Sequence, residues 1–333
     1  MEQTYIPLRE AAGRYGVTYD RLRRAAYDGR LLVVREDGRW LVRPTEIERF
    51  IRDGGKAPKI ERHPRRQGTA AARVIAVAIP KGGTGKTTTT LNLGVALAER
   101  GQRVLTIDCD PQGSLTSAVG LDTNRLDLTL QDTIERYMRH FTTELDRAIV
   151  ETREGIDLVP TNALLNRSNT DLLHALEPQK ILRKLIDPLR ERYDFILLDT
   201  LPYLGVLVQN ALAAADEVVI PLEAAALSSH SARVLIEQID VMRRSGLNPT
   251  LRILGFLFTR VDPTVSVQRE HMAYARRTFG EDATVFHTTI EDRSVIVESQ
   301  TGPTRGSLFS YRPTDPATQA YRALANEVLY GTA

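Results

Sequence analysis

The run from Lys81 to Thr88 contains the residue types that bind nucleotide phosphates. An ordinary phosphate-binding loop reads G-x-x-x-x-G-K-[ST], and here Pro80 holds the first glycine position. The remaining glycines still let the backbone curl, so that its N–H groups and the start of the next helix face phosphate oxygens. We predict a nucleotide-binding set of eight consecutive residues: Lys81, Gly82, Gly83, Thr84, Gly85, Lys86, Thr87 and Thr88.

The two lysines of this loop have different predicted roles in catalysis. Lys86 is placed to reach the β- and γ-phosphates, and the Thr87 hydroxyl to hold Mg²⁺. Lys81 stands near the start of the loop, where a lysine points away from the phosphates of its own subunit. We therefore expect Lys81 to reach a nucleotide that is bound by a second copy of the protein.

Three carboxylates follow apolar runs elsewhere in the chain, namely Asp108, Asp110 and Asp199. Ligands of an open parallel sheet sit outside the carboxyl ends of its strands, so the three acids should converge on the phosphates. We assign Asp199 to Mg²⁺ through a water, Asp108 to support of the metal site, and Asp110 to positioning of the attacking water. Each could instead cap a helix or hold a turn, as aspartates after strands do.

The elements around the loop have the order that a phosphate site requires. Residues 74–79 form a short apolar run typical of a buried parallel strand. The apolar residues of 88–100 are spaced as in a helix, which is predicted to end before Gly101. Further apolar runs precede the carboxylates. The pattern predicts an α/β fold with a mostly parallel sheet flanked by helices.

Residues 73–333 resemble the ParA/Soj family of deviant Walker A ATPases, which segregate plasmids and chromosomes. The resemblance is carried by KGGTGKTTTT, DCDPQGSLT, FILLDTLPYLG, NALAAADEVVIPLE and a late TGP, in the family's order. It implies a P-loop NTPase fold, ATP/ADP and Mg²⁺ as cofactors, and a homodimer with ATP sandwiched between subunits, in which Lys81 contacts the partner's nucleotide. It also implies slow hydrolysis, non-specific DNA binding by the ATP dimer and stimulation by a ParB-like adaptor.

The chain departs from the family pattern at three positions. Leu201 replaces the first of two prolines that usually follow the Walker B aspartate. Thr264 and Val295 align with arginines through which the family contacts DNA. DNA binding through this surface would therefore need substitutes, for which the chain offers Arg260, Arg269, Arg276, Arg277 and Arg293.

Composition favours a folded cytoplasmic protein without a membrane anchor. We identify no secretory segment, no long apolar run and no basic amphipathic tail of the kind expected of the MinD relatives. Cys109 is the only cysteine, which excludes the iron–sulfur cluster of nitrogenase-type relatives.

Charge is distributed unevenly along the chain. Residues 1–73 carry seven more basic than acidic side chains, although the whole chain has a net charge of only +2. Excess positive charge on a small domain indicates a nucleic-acid partner. Residues 53–72, which contain glycine, proline and five basic residues, are interpreted as a flexible linker that either follows DNA or serves as a tether.

The N-terminal segment 1–52 resembles the winged helix-turn-helix of MerR-type regulators and excisionases. We predict helices at 8–15 and 19–28, strands at 31–35 and 39–43, and a third helix at 46–52 capped by Thr45 and Glu48. In such domains the second helix enters the major groove. The candidate DNA-binding residues on that helix and the wing are Tyr19, Arg21, Arg23, Arg24, Tyr27, Arg35 and Arg39. A protein-interaction domain with a solvated arginine face is the alternative.

Together these features predict a nucleoid-associated partition ATPase with three parts. They are a DNA-binding domain (1–52), a basic linker (53–72) and a ParA-type ATPase domain (73–333). The protein would bind DNA, dimerise on ATP and regulate its own operon. Two alternatives remain, a ParA-like ATPase that positions a protein cargo and a transcriptional regulator gated by ATP.

Overall fold

The computed structural model describes residues 6–27, 31, 33–36, 39–42, 44–52, 54–55, 71–224, 229–279, 284–301 and 305–331. Most of the predicted linker, residues 53 and 56–70, lies outside this set. The described part comprises a small N-terminal unit and a large α/β body.

The N-terminal unit is built from three helices and a small antiparallel sheet. Its elements are β1 (Ile6–Pro7), α1 (Leu8–Arg14), α2 (Tyr19–Tyr27), β2 (Val33–Glu36), β3 (Arg39–Val42) and α3 (Pro44–Arg52). The strands pair in the order β1-β3-β2. Leu8, Leu22, Ile47 and Phe50 are buried in a core of its own. The order of α1, α2, β2, β3 and α3 agrees with the predicted order, whereas the short strand β1 was not predicted. DNA binding by the unit stays a prediction.

The third helix of this unit begins earlier than predicted. It starts at Pro44 rather than Glu46, because proline has a suitable fixed φ and lacks only an N–H that the first helical position leaves unbonded anyway. Thr45 therefore lies inside the first turn. Thr45 is therefore not the residue that precedes the helix, which the predicted capping box of Thr45 and Glu48 requires.

The body contains an eight-stranded sheet in the order β11-β10-β9-β4-β8-β5-β7-β6. The strands are β4 (Arg73–Val77), β5 (Val104–Asp108), β6 (Val150–Glu151), β7 (Asp157–Val159), β8 (Phe195–Asp199), β9 (Glu217–Glu223), β10 (Arg252–Val261) and β11 (Val285–Glu291). All neighbouring pairs are parallel except β6 and β7. The predicted mostly parallel sheet is confirmed.

Helices cover both faces of this sheet. They are α4 (Lys86–Glu99), α5 (Ser114–Ala118), α6 (Leu130–His140), α7 (Leu165–Asp171), α8 (Ile181–Ile186), α9 (Val206–Ala214), α10 (Ser229–Arg244), α11 (Ser266–Phe279), α12 (Ser294–Thr301), α13 (Leu308–Tyr311) and α14 (Pro316–Tyr330). Short 3₁₀ turns span Leu145–Ala148, Leu172–His174 and Asp187–Leu189.

The alternation of side chains along the central strands separates two hydrophobic cores. In β4, Val74 and Ala76 pack with α6 to α11, whereas Ile75 and Val77 pack with α4, α5, α13 and α14. Successive residues of a strand point to opposite faces, so an unbroken apolar run supplies both cores. The described helices include none that is both long and apolar enough to span a bilayer.

Candidate nucleotide-binding site

The loop between β4 and α4 is curled by glycines in left-handed conformations. Gly83 has φ 75° and Gly85 has φ 81°, values that side chains with a Cβ rarely tolerate. α4 begins at Lys86, two residues before the predicted start, so Lys86 and Thr87 lie in its first turn. The positive end of the helix dipole and the curled backbone consequently face the same cavity as these two side chains.

Lys86 is a buried cation at the centre of the site. Its side chain is 7% exposed, and its Nζ donates a hydrogen bond to the carbonyl of Lys81 at 2.7 Å. Burial lowers the pKa of Lys86, while the nearby carboxylates of Asp199 and Asp110 act in the opposite direction. A buried ammonium beside a helix N-terminus suits an anionic ligand.

Asp199 lies opposite this cation and is fully buried. Its Oδ2 accepts a hydrogen bond from the Thr87 hydroxyl at 2.7 Å, and its Oδ1 one from Thr90 at 3.4 Å. Burial raises the pKa of Asp199 well above its usual range, and the neighbouring Asp108 adds to the shift. A cation beside Asp199 would favour the ionised form of this carboxyl, against the effect of burial.

The donor set suits Mg²⁺ held mainly by phosphates. No group of three or more His, Cys, Asp or Glu side chains that could hold a metal occurs among the described residues. Mg²⁺ commonly uses one or two protein oxygens and completes its octahedron with phosphate oxygens and waters. The Thr87 hydroxyl and the Asp199 carboxylate are the protein oxygens that fit this arrangement.

Asp108 is directed toward the protein interior. It pairs in register with Asp199 on the neighbouring strand, and its Oδ2 accepts hydrogen bonds from the backbone N–H and hydroxyl of Thr116 at 2.8 and 2.7 Å. Its Oδ1 accepts one from the N–H of Asp110 at 3.2 Å. Burial raises the pKa of Asp108 to about 6. These bonds fix the loop that carries Asp110, so any support Asp108 gives to a metal would be indirect.

Asp110 faces the cavity and also holds a turn. It lines the cavity together with Lys86 and Thr87, while its Oδ1 accepts a hydrogen bond from the N–H of Gln112 at 2.9 Å. Burial raises the pKa of Asp110, and the charge of Lys86 opposes the shift. The geometry is thus compatible with both the catalytic and the turn interpretation of Asp110.

Lys81 lies at the rim of the site in an ion pair within its own subunit. Its Nζ is 2.9 Å from Oε2 of Glu223, and the two side chains are 30% and 20% exposed. The same carboxylate has Arg260 at 3.8 Å. Partly exposed pairs of this kind contribute about 0–1 kcal/mol, so Lys81 can leave Glu223 at small cost.

The cavity, of about 450 Å³, also contains residues that sequence reasoning did not assign to it. Thr259 donates a hydrogen bond to the carbonyl of Thr84 at 2.9 Å and so attaches β10 to the loop. Gln300 donates to Thr88 at 3.0 Å. The other unassigned lining residues are Ser114, Thr200, Pro202, Arg260, Ile290, Glu291, Asp292, Arg293, Ile296, Val297 and Tyr321. Several of them could have been found from the sequence, because they lie at the ends of β10 and β11. Parallel strands bring their carboxyl ends to one edge of the sheet.

The candidate DNA-binding side chains of the N-terminal unit lie mainly on α2. Arg21, Arg23 and Arg24 are exposed and Tyr19 is half-buried; the Arg21 guanidinium also lies 5.9 Å from the centre of the Phe50 ring. The side chains of Tyr27, Arg35 and Arg39 lie outside the described part of the structure.

The positions aligned with the family's DNA-binding arginines are occupied by side chains engaged elsewhere. The Thr264 hydroxyl donates to Asp262 at 2.6 Å, and Val295 is buried. Among the offered substitutes, Arg293 is bound to Asp315 at 3.0 Å. Arg269 and Arg277 are exposed on α11.

Residues 72–253 match the AAA_31 family model, described as an AAA domain. The chain is 37% identical over 262 residues to the chromosome-partitioning ATPase Soj of Thermus thermophilus, covering 78% of this chain and 96% of Soj. It is 34% identical over 260 residues to the chromosome partitioning protein ParA of Caulobacter vibrioides, covering 77% and 94%.

A solved structure also superimposes on the body. Cobyrinic acid a,c-diamide synthase from Mycobacterium smegmatis, with bound ADP and magnesium, matches with a TM-score of 0.67 and 29% identity, covering 78% of this chain and 94% of the synthase. The same enzyme has been solved with an ATP analogue and magnesium. These matches cover most of the chain, and the phosphate loop with Lys81 and Lys86 is consistent with them. The chain belongs to the AAA domain family of ParA- and Soj-type P-loop ATPases.

Proposed function

We propose that this protein is a DNA-partition ATPase that dimerises on ATP, binds DNA and hydrolyses ATP slowly under the control of a ParB-like adaptor. The observation that carries the proposal is the position of Lys81. It stands at the start of the phosphate loop and pairs with Glu223, whereas Lys86 and Thr87 line the cavity. Similarity to Soj and ParA supports the same function.

The cofactors of the proposed reaction are ATP or ADP and Mg²⁺. The loop residues 81–88 would hold the phosphates, with Lys86 facing the β- and γ-phosphates. Thr87 and Asp199 would hold Mg²⁺, with Asp108 supporting them from behind. The metal would neutralise charge on the transferred phosphoryl group, and Asp110 would orient the attacking water.

Lys81 is expected to act across the dimer. Lys81→Ala should leave each monomer able to bind ATP but unable to form the ATP dimer, because the partner's nucleotide loses its contact. Light scattering of the purified protein with and without ATP measures this. Lys180→Ala is the matched control, since Lys180 also forms an ion pair with a glutamate, at 2.7 Å, but lies outside the cavity. A Lys81→Ala protein that dimerises as fully as the wild type would disprove the role across the dimer.

Asp110 is expected to position the water for hydrolysis. Asp110→Ala should slow hydrolysis while retaining the triphosphate contacts, so the variant should accumulate as a long-lived ATP dimer. Single-turnover hydrolysis of bound ATP measures the chemical step.

Asp110→Asn separates the two interpretations of this residue. An asparagine keeps the acceptor for the Gln112 N–H but removes the charge. Slow hydrolysis in both variants is expected. Normal hydrolysis in Asp110→Asn with a defect in Asp110→Ala would show that Asp110 serves only the turn.

In this proposal the N-terminal unit is a sequence-specific DNA reader. The exposed arginines of α2 support it, as does the excess of basic residues in residues 1–73. ATP-dependent dimerisation would present two such units at once and raise their effective concentration on DNA. The protein would associate with the nucleoid, and binding near its own promoter would make it an autorepressor.

The experiment that tests the whole proposal compares binding to two DNAs in three nucleotide states. Fluorescence anisotropy is measured with the gene's own upstream DNA and with random DNA, each with ATP, with ADP and without nucleotide. We expect the tightest binding to upstream DNA with ATP. Equal binding in all six conditions would contradict an ATP-controlled DNA function.

A further inference from the structure

Arg260 occupies a backbone conformation that an arginine rarely adopts. Its φ of +52° lies in the left-handed region, which among the described non-glycine residues is otherwise occupied only by Phe141 and Glu177. This conformation is unfavourable for a residue with a Cβ, because the Cβ comes too close to the following carbonyl oxygen. Such strain persists where the surrounding structure enforces it, and it is concentrated at functional sites.

The strain accompanies an irregularity in β10 that turns the Arg260 side chain toward the nucleotide cavity. The pairing of β10 with β11 shifts register between Phe258 and Val261. On either side of Arg260, Thr259 and Val261 are both buried, whereas Arg260 is half-exposed and lines the cavity. Bulges near sites commonly re-aim one side chain in this way.

The guanidinium of Arg260 lies beside the phosphate loop. A Cβ added to Gly83 would be 3.9 Å from its Nη1. Gly83 is one of the glycines whose left-handed conformation curls the loop. The cation is therefore placed next to the backbone that would surround the phosphates, and it lines the same cavity as the buried Lys86.

The hydrogen-bonding capacity of Arg260 is unused within the described part of the chain. Its nearest carboxylates are Glu223 at 3.8 Å and Asp292 at 3.7 Å, and to the described residues it donates no hydrogen bond. Arg293 of the same cavity differs, since it is held by Asp315 at 3.0 Å. A guanidinium has five N–H donors arranged to match phosphate oxygens.

We propose that Arg260 is a phosphate-binding residue of the nucleotide site, donating to the polyphosphate chain of ATP or ADP bound by its own subunit. The inference rests on the nucleotide binding proposed above. Without nucleotide, Glu223 and Asp292 offset the charge of Arg260 from 3.8 and 3.7 Å. When phosphates enter, the guanidinium turns from these carboxylates to the ligand.

Three substitutions of Arg260 separate its charge from its backbone strain. Arg260→Asn removes the charge and retains a residue that tolerates φ > 0, Arg260→Gly removes both charge and strain, and Arg260→Lys keeps charge without the planar fork. Arg252→Asn is the matched control, because Arg252 lies at the other end of β10 from Arg260 and is 74% exposed. Binding of ATP, ADP, inorganic triphosphate and adenosine is measured by calorimetry on the full chain.

We expect Arg260→Asn and Arg260→Gly to weaken ATP, ADP and inorganic triphosphate binding at least tenfold and to leave adenosine binding unchanged. Arg260→Lys should lose less, and Arg252→Asn should match the wild type. The melting temperature of Arg260→Gly should not fall, which shows that its weaker binding is not misfolding.

Two results would overturn the inference while nucleotide binding itself stands. One is ATP binding by Arg260→Asn within twofold of the wild type. The other is an equal loss for adenosine, which would assign Arg260 to the base. If the wild type binds no nucleotide at all, the proposed function fails, and the inference fails with it.

Discussion

Replacement of Lys86 by alanine is expected to abolish ATP hydrolysis and to weaken ATP binding at least a hundredfold. The ammonium is buried beside the start of α4, where burial weakens the screening of its attraction to the β- and γ-phosphates. Removing one such contact in a closed site costs on the order of several kcal/mol. Calorimetry with ATP measures the affinity, and phosphate release measures hydrolysis.

A loss of folding must be separated from this loss of binding. Lys86 offsets the negative charge of Asp199 and Asp110, so its removal also affects the stability of the protein without nucleotide. Lys86→Met keeps most of the side-chain volume, and its melting curve reports the fold. Lys184→Ala is the control for charge, since Lys184 lies outside the cavity in an ion pair with Glu177. Unchanged ATP affinity in a folded Lys86→Met protein would defeat the assignment of this lysine.

The triple variant with Arg21, Arg23 and Arg24 replaced by alanine is expected to lose specific DNA binding. These exposed side chains lie along α2, the helix that would enter the major groove. Each lost base contact should cost about 1–3 kcal/mol, and each lost phosphate contact should reduce the slope of log affinity against log salt by about one. ATP hydrolysis should stay near the wild-type rate, because the hydrophobic core of the N-terminal unit is separate from those of the body.

A second triple variant distinguishes position from net charge. Arg125, Arg139 and Arg147 lie on the surface of the body in ion pairs with Asp122, Glu135 and Glu144. Alanine at these three positions removes the same formal charge without touching α2. Anisotropy titrations at several salt concentrations should show specific binding retained in this variant. Equal losses in the two triple variants would show that α2 is not the reader.

The local sequence determined the phosphate loop and the elements on either side of it. Glycines at 83 and 85 permit the left-handed turns, and the apolar run before them can only be a buried strand or a buried helix. The parallel sheet followed from alternating apolar runs and helical segments. The local sequence determined the starts of helices less closely. Both α4 and α3 begin two residues before their predicted starts, because the ends of helices are defined only to within one or two residues.

Only the tertiary structure decided which charges meet. The partner of Lys81 is Glu223, 142 residues away in the chain, and the pairing exists because β9 lies next to β4 in the sheet. The same applies to Asp108, whose contact with Thr116 directs it inward rather than to the cavity. Arg260 is directed to the loop by a register shift of β10 that no local pattern encodes. Spacing along a chain fixes local conformation, whereas ion pairs between strands depend on the order in which the sheet assembles them.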